Sequence, residues 1–216
     1  MNAPADRGAV PEVRRRDATK NRETLVRAAR TALAEQPNAS LDSIAQAAGL
    51  SRRALYGHFP DRDSLVHEVV EVASRKFAEI VGIGEREDPR VALAHLATAL
   101  WRESTTVKAI VNIALSELYD AHTDEALDPL RRRLRALTGA GIASGAFRAD
   151  MTPDTLARLV EEAAKVTLRD ERITSDTTAS TAVKVVLSIV GLSWVEQRDL
   201  LDAHPELLEA GDPPAG

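Results

Sequence analysis

Residues 51–65 read SRRALYGHFPDRDSL and directly follow IAQAAGL at residues 44–50. Within this stretch Ala45, Gly49 and Leu55 stand at intervals of four and six, a spacing that favours two short helices crossing at a tight turn. Ala45 is small where the second helix must cross it, and Gly49 stands where the chain needs a positive φ angle. Leu55 is expected to fill the space between the two helices.

Polar residues mark the start of each predicted helix. Ser40 precedes the first and Ser51 the second, and at such positions a hydroxyl oxygen accepts a hydrogen bond from a free backbone N–H. Asp42 adds a carboxylate at the positive end of the first helix. The pattern therefore predicts two capped helices joined by a turn.

The second helix has an unusual outer face. Only Ala54 and Leu55 are apolar, so the helix can bury one side and no more. The polar residues left on the outside are Arg52, Arg53, Tyr56 and, at the end of the helix, His58. Guanidinium, phenol and imidazole groups suit phosphate oxygens and base edges. The alternative interpretation is a solvated arginine pair with no function.

The segment IAQAAGLSRRALYGHFPDRDSL, residues 44–65, resembles the helix-turn-helix signature of the tetracycline-repressor-type (TetR) family of transcriptional regulators nearly position by position. The resemblance extends over about residues 19–81, and the rest of the chain matches in length and helical character. It implies an all-α fold with an N-terminal three-helix helix-turn-helix DNA-binding domain. A C-terminal helical domain for ligand binding and dimerisation is implied after it.

The same resemblance implies roles for individual residues. Arg62 stands where the family usually has lysine, so a phosphate contact is expected with altered geometry. Asn38 stands near the usual glycine after the first helix, a change that a left-handed cap tolerates. Phosphate contacts are implied for Tyr56 and His58, and core positions for Phe59 and Leu65. The predicted DNA-contacting residues are Arg14, Arg15, Arg16, Ser40, Ser51, Arg52, Arg53, Ala54, Tyr56, His58 and Arg62.

Composition limits the class of protein. The 216 residues include no cysteine, which excludes a disulfide framework, a thiolate metal site and a cysteine nucleophile. No apolar stretch approaches the roughly 18 residues of a membrane span, and the start lacks the apolar segment of a signal peptide. The expectation is a soluble cytoplasmic protein.

The charge is divided unevenly along the chain. The formal net charge is -5, which argues against DNA binding if taken alone. Residues 1–65, however, hold 11 Lys and Arg against 8 Asp and Glu, a net of +3, and the remainder has a net of -8. An acidic remainder repels phosphate and so discourages DNA from binding the wrong surface.

The order of composition along the chain predicts its organisation. The first residues contain Pro4, Gly8 and Pro11 before three arginines and carry no apolar periodicity. Such an arm either contacts the DNA backbone or a minor groove, or is a solvated tail, and both interpretations stay open. The predicted parts are a flexible basic arm at 1–18, a helix-turn-helix domain at 19–65, a linking helix at 66–84, an effector-binding and dimerisation domain at 85–205, and a disordered tail at 206–216.

The region beyond the linking helix is expected to be helical at about residues 89–102, 105–119, 124–143, 153–170 and 179–197. Residues 153–170 have a wide apolar face, and residues 182–195 are apolar nearly all round, so the last helix needs cover on several sides. A second copy of the chain would provide it; the alternative is the central helix of a monomeric bundle. The predicted dimer-interface residues are Leu156, Leu159, Val160, Ala163, Val183, Val186, Leu187, Val190 and Trp194.

The middle helices offer few candidates for ligand binding. Phe77, Trp101, Asn112 and Tyr119 are predicted to line a pocket, although most single aromatics at helical spacing belong to the core. Aromatic residues make up 3% of the chain, so aliphatic walls and a small lipophilic or acyl ligand are favoured over a flat multi-ring one. The arginine-rich run at 131–135 winds around its helix and is interpreted first as solvated surface and second as an anion or DNA contact.

These observations predict a dimeric repressor that binds a palindromic DNA operator and is released by a small lipophilic effector. Activation instead of repression, and a DNA-binding organiser without an effector, remain alternatives. An all-helical enzyme is disfavoured because the chain has no HExxH, GxxxxGK[ST] or GxSxG motif. No catalytic residue, metal site or cofactor is predicted.

Overall fold

The regular elements are all helical in the part of the chain that the structure, a computed structural model, describes: residues 9–82, 88–114, 120–169 and 179–208. The predicted all-α fold is therefore confirmed. None of the described helices is both long enough and apolar enough to cross a membrane. The helices are α1 (Ala9–Glu35), α2 (Leu41–Ala47), α3 (Arg52–His58), α4 (Arg62–Val81), α5 (Pro89–Arg102), α6 (Ser104–Ala114), α7 (Asp120–Ala143), α8 (Pro153–Arg169), α9 (Ala179–Ile189) and α10 (Trp194–Ala203), followed by a 3-10 turn at Pro205–Leu207.

The first four helices form the compact unit that the opening stretch predicts. Gly49 has a φ of +65°, as the spacing required, and it lies in the turn between α2 and α3. The Oγ atoms of Ser40 and Ser51 accept hydrogen bonds from the backbone N–H groups of Ser43 and Ala54, which confirms both caps. Leu55 is 1% exposed and joins a common core with residues of α1, α2 and α4.

Helix α1 begins earlier than the sequence pattern indicated. The prediction of a flexible arm over residues 1–18 is wrong from Ala9 onward, because α1 already runs through these residues. Pro11 lies in the first turn, where its missing N–H breaks no hydrogen bond, and no glycine interrupts the helix. Arg16 is exposed, whereas residues 1–8 and the side chains of Arg14 and Arg15 lie outside the described part.

The end of α1 is held by side chains from elsewhere in the chain. The expected left-handed cap at Asn38 is absent, since no described residue other than glycine has a positive φ. Residue 37 is proline and has no N–H, so the carbonyl of Leu33 lacks its usual partner four residues on. The Asn112 side chain on α6 donates from Nδ2 to the Leu33 oxygen at 2.9 Å and to the Ala34 oxygen at 3.0 Å.

The expected single helix over residues 179–197 is two helices. The chain leaves α9 at Gly191, whose φ is +101°, with the Gly191 N–H bonded to the Ser188 oxygen and the Leu192 N–H to the Leu187 oxygen. These two bonds form a Schellman ending. Ser193 then caps α10 in a reciprocal capping box with Glu196, a signal that was present in the sequence as SWVE.

Helix α9 is covered within a single protomer, mainly by α5 and α8. Most of the predicted dimer residues are consequently core residues, exposed 3% or less, and that part of the interface prediction is wrong: Leu156, Val160, Val183, Val186, Leu187 and Val190. The neighbouring helices of the same protomer therefore explain why α9 is apolar on all sides. Leu159 and Trp194 remain exposed and Ala163 is half-buried.

The last described residues are ordered against the bundle, so the predicted tail is wrong for residues 206–208. Leu207 is completely buried, and the Oγ1 of Thr98 on α5 donates to its carbonyl oxygen at 3.0 Å. An apolar residue two positions after Pro205 was enough to dock this turn. Residues 209–216 lie outside the described part.

Replacing Gly191 by alanine should destabilise the C-terminal helical domain formed by α5 to α10, which is called the larger domain below. The positive φ disfavours any side chain by about 1 to 2 kcal/mol, and an added Cβ would stand 3.0 Å from the Cβ of Arg148. Gly139 is the matched control, because it lies within α7 and an added Cβ there meets nothing within 4 Å. Urea unfolding should show a lower free energy of unfolding for Gly191→Ala and no decrease for Gly139→Ala. Equal stabilities of the two variants would contradict the proposed role of Gly191 in the turn.

Candidate DNA-binding surface and effector cavity

Helix α3 presents its polar face to solvent and its apolar face to the protein. Tyr56 is 51% exposed, and Arg52 and Arg53 are exposed beside it. Ala54 and His58 are partly exposed. The structure therefore leaves the predicted major-groove and phosphate-contacting residues of α3 wholly or partly exposed. Their exposed side chains together are called the reading face below.

The two arginines of the reading face differ in their surroundings. Arg52 forms an ion pair with Asp42 in the first turn of α2, so its guanidinium is partly neutralised. Arg53 has no hydrogen bond or ion pair with any described residue. A planar donor without an internal partner is the better candidate for bidentate contact with a base edge or a phosphate.

An arginine that the sequence analysis missed holds α3 in place. Arg22 of α1 donates from Nη2 to Oε2 of Glu68 on α4 at 2.6 Å and lies 4.6 Å from the centre of the Phe59 ring. Its Nη1 also donates to the carbonyl oxygen of His58 at 3.4 Å. Arg22 thus joins α1, the end of α3 and α4. Its position on the polar side of a helix gave no sequence signal for this role.

The start of α4 is fixed by two neighbouring residues. The side chain of Asp61 accepts from the Ser64 N–H at 2.8 Å, and this hydrogen bond lowers the pKa of the carboxyl group. Arg62 donates to the carbonyl oxygens of Pro37 and Ala39, which lie between α1 and α2. Both terminal nitrogens of Arg62 therefore have protein partners. Its contact with phosphate stays a prediction, and its bracing of the α1–α2 turn is new.

The larger domain contains a narrow apolar cavity of about 60 Å³. Phe77 and Trp101, two of the four predicted ligand contacts, lie in its wall. Asn112 does not, because its amide is committed to the end of α1, so its assignment to the ligand is wrong. Tyr119 lies outside the described residues. Apart from Glu161 and Lys165 the rest of the wall is aliphatic, including Leu93, Leu96, Leu100, Val107, Ile110, Val111, Leu127, Leu130 and Val186.

Charged groups close one side of the cavity as a connected network. Lys165 donates to Glu161 at 2.8 Å and to Glu162 at 3.0 Å. Arg131 reaches the same Glu161 at 3.3 Å and also pairs with Asp124 at 2.9 Å. The network joins two cationic groups to three carboxylates, so each cation in it is paired. The arginine-rich run is therefore paired on this side, with Arg131 in the network and not simply solvated.

No group of three or more metal-ligating side chains occurs among the described residues. The described site is instead a polar reading face at one end of the molecule and an apolar cavity in the helical bundle. Helix α4 belongs to both, since it begins beside the reading face and carries Phe77 into the cavity wall.

Comparison with known proteins identifies the DNA-binding domain formed by α1, α2 and α3, which is called the reading head below. Residues 25–69 match the family described as bacterial regulatory proteins, tetR family. The chain is 30% identical over 158 residues to the HTH-type transcriptional repressor KstR2 of Rhodococcus jostii (strain RHA1), a match covering 68% of this chain and 76% of that protein. The chain belongs to the TetR family. It is a DNA-binding transcriptional regulator, as the helix-turn-helix stretch predicted.

Solved TetR-type structures share the fold. A gamma-butyrolactone receptor (ArpA like protein) has a TM-score of 0.70 at 16% identity, covering 90% of this chain and 100% of that one. The ketosteroid transcriptional regulator KstR2 of Mycobacterium tuberculosis has a TM-score of 0.60 at 22% identity, covering 78% and 92%. The probable transcriptional regulatory protein RHA5900 is 28% identical, with a TM-score of 0.58 and coverage of 80% and 98%.

Replacing Arg53 by alanine should weaken operator binding by about 1 to 3 kcal/mol, because an arginine without an internal partner is lost from the reading face. Arg132→Ala is the matched control: Arg132 is an exposed arginine of the larger domain, paired with Asp128. Fluorescence anisotropy with labelled operator would measure both, with sedimentation showing that the oligomer is unchanged. Equal affinities for the two variants would refute the assignment of Arg53.

Proposed function

We propose that the protein is a dimeric repressor whose two reading faces bind a palindromic operator, and that a lipophilic ligand in the apolar cavity releases it. The observation that supports this most directly is that the cavity and the reading head share helices. A ligand that moves the cavity wall must act on helices that hold the reading face.

Helix α4 is the first shared element. Leu65 is buried in the same core cluster as Leu55 of α3, and Phe77 lies in the cavity wall twelve residues later, about 18 Å along the helix axis. Lys76 ties α4 to the junction of α5 and α6 through Glu103, with Nζ and Oε1 separated by 3.2 Å. The hydrogen bond to Glu103 raises the pKa of Lys76 further above neutral pH.

Helix α6 is the second shared element. Val107, Ile110 and Val111 lie in the cavity wall, and the next residue, Asn112, donates to the end of α1. Helix α1 in turn packs on α2, α3 and α4. Displacement of α6 by a ligand would therefore pull on the helix that supports the reading face.

The size of the cavity explains why a ligand would displace these helices. A volume of about 60 Å³ holds only a few water molecules, so a molecule of ten or more heavy atoms must widen it. Widening shifts the walls, and a shift that changes the position of the reading face lowers operator affinity. Coupling free energies of about 1 to 3 kcal/mol are typical for such linked sites.

Dimerisation is proposed through the outer face of α8 and the start of α10. Leu159 and Val166 are exposed on α8 with half-buried Ala163 between them, a spacing of four and three that places all three on one face. Trp194 is 72% exposed at the start of α10. A two-fold dimer built on this face must hold its reading faces about 34 to 36 Å apart to reach successive major grooves.

The operator can be sought directly by footprinting the purified protein on the DNA upstream of its own coding region. Two protected half-sites related by two-fold symmetry, released by one class of lipophilic compound, are expected. Protection by a single half-site would contradict the dimeric arrangement. Binding that no compound from a broad metabolite screen relieves would instead favour a DNA-binding organiser without an effector.

Asn112→Ala should uncouple the cavity from the reading head. The carbonyl oxygens of Leu33 and Ala34 lose their donor, which should cost about 1 kcal/mol of stability. A compound that releases the wild-type protein should still bind the variant, yet change its operator affinity much less. Lys108→Ala, on the same helix and without an ion pair among the described residues, is the control. Unaltered release in Asn112→Ala would remove α6 from the proposed route.

Leu159→Glu combined with Val166→Glu should split the dimer while leaving each protomer folded, because both side chains are exposed in the single chain. Val190→Glu should instead unfold the protein, since Val190 is fully buried. Light scattering after gel filtration and circular dichroism distinguish the two outcomes. Arg158→Glu, an exposed substitution on another side of α8, should change neither mass nor helicity. A double variant that stays dimeric would refute the proposed interface.

A further inference from the structure

Trp101 combines burial with an unused hydrogen-bond donor. The residue is 7% exposed at the end of α5, and its Nε1 is buried without a hydrogen-bond partner among the described residues. The indole N–H is a donor only, so an acceptor is the one group that can satisfy it. Most buried polar groups in proteins have a partner. An exception in the wall of a cavity indicates a place where a bound molecule supplies the acceptor.

The other polar groups of the cavity wall are already engaged. Lys165 donates to Glu161 and Glu162, and Glu161 also accepts from Arg131. An anionic ligand would have to displace one of these carboxylates and be desolvated among aliphatic side chains, which is unfavourable. Among the described residues of the wall, the indole of Trp101 is the donor that a ligand can use without breaking an existing bond.

We propose that the effector is a neutral, slender lipophile carrying a carbonyl oxygen, such as a ketone or lactone, that accepts a hydrogen bond from Nε1 of Trp101. This inference rests on the proposed effector function of the cavity and specifies its ligand. The apolar body lies among the aliphatic walls, and the small volume of the cavity, about 60 Å³, favours a chain or single ring over a broad ring system.

The position of Trp101 also connects this hydrogen bond to the proposed switch. Trp101 lies two residues before Glu103, which holds Lys76 of α4, and it packs against Val107 of α6. The indole packs against Val107 of α6 and Ala179 at the start of α9, so a ligand oxygen bonded to it lies beside α5, α6 and α9. The same contact recognises the ligand and places it against α6, whose Asn112 leads to the reading head.

The test uses two molecules of the same shape, 2-decanone and 2-methyl-1-decene, which differ in having C=O or C=CH2. Calorimetric or fluorescence titration of the full-length protein should show that Trp101→Phe weakens 2-decanone binding about tenfold. The affinity for the alkene should change less than twofold. Arg132→Ala, an exposed change on α7 away from the cavity wall and the proposed dimer face, is the control and should affect neither ligand. An equal loss of affinity for both ligands in Trp101→Phe, or no loss of affinity, would contradict the proposed hydrogen bond.

A second measurement does not depend on the folding of the Trp101 variant. The chain has two tryptophans, so the 15N-labelled wild-type protein gives two indole N–H signals, which Trp194→Phe assigns. Addition of 2-decanone should move the Trp101 proton downfield, and the alkene should not. Identical responses to the two ligands would overturn the inference.

Decanoate tests the neutral character of the ligand. It should bind more weakly than 2-decanone at pH 7; tighter binding that disappears in Lys165→Met would overturn the proposal. Operator release is measured separately from binding. Ketone binding that depends on Trp101 without release would leave this inference standing and count against the gated repressor. Failure of 2-decanone and the alkene to bind a protein that still binds operator would overturn the inference alone.

Discussion

The structure depends on which hydrogen-bond donors reach the free carbonyl groups at the C-terminal end of α1. Pro37 has no N–H to offer the Leu33 carbonyl, and the amide of Asn112 fills this place from a helix of the other domain. Arg62 braces the following turn through the Pro37 and Ala39 carbonyls. Because buried or half-buried carbonyls are costly to leave without a donor, this end of α1 couples the reading head to the bundle. The linkage follows from backbone hydrogen bonding and needs no special hinge.

Helix α3 also depends on contacts with residues outside the helix. A seven-residue helix is too short to be stable alone, so its caps and the Arg22 bridge between Phe59 and Glu68 hold it in place. Bracing by residues outside the reading face leaves that face free for DNA. Arg53 is available for contact, whereas Arg52 is already paired with Asp42. The distinction matters because the two arginines are adjacent and chemically identical in the sequence.

The predictability of each part follows from the range of the interactions involved. The helix-turn-helix was predictable because its determinants lie within a few residues: a cap at Ser51, a positive φ at Gly49 and a buried Leu55. The interior of the bundle was not, because apolar periodicity does not distinguish a residue covered by its own chain from one covered by a copy. Val190 was assigned to the interface for that reason. The break at Gly191 had local signals, and the all-round apolar run obscured them.

The energetics of release set a requirement on the effector. Changing a two-state equilibrium from 1:99 to 99:1 takes a preference of about 10⁴ for one state. If each protomer of a dimer contributes equally, each ligand must prefer the released state by about a hundredfold. A single hydrogen bond from Trp101 accounts for about a factor of ten even if it forms only in that state. The remainder must come from apolar contacts that exist only after the cavity widens. A cavity that is small before the ligand enters meets this requirement, since those contacts form only in the widened state.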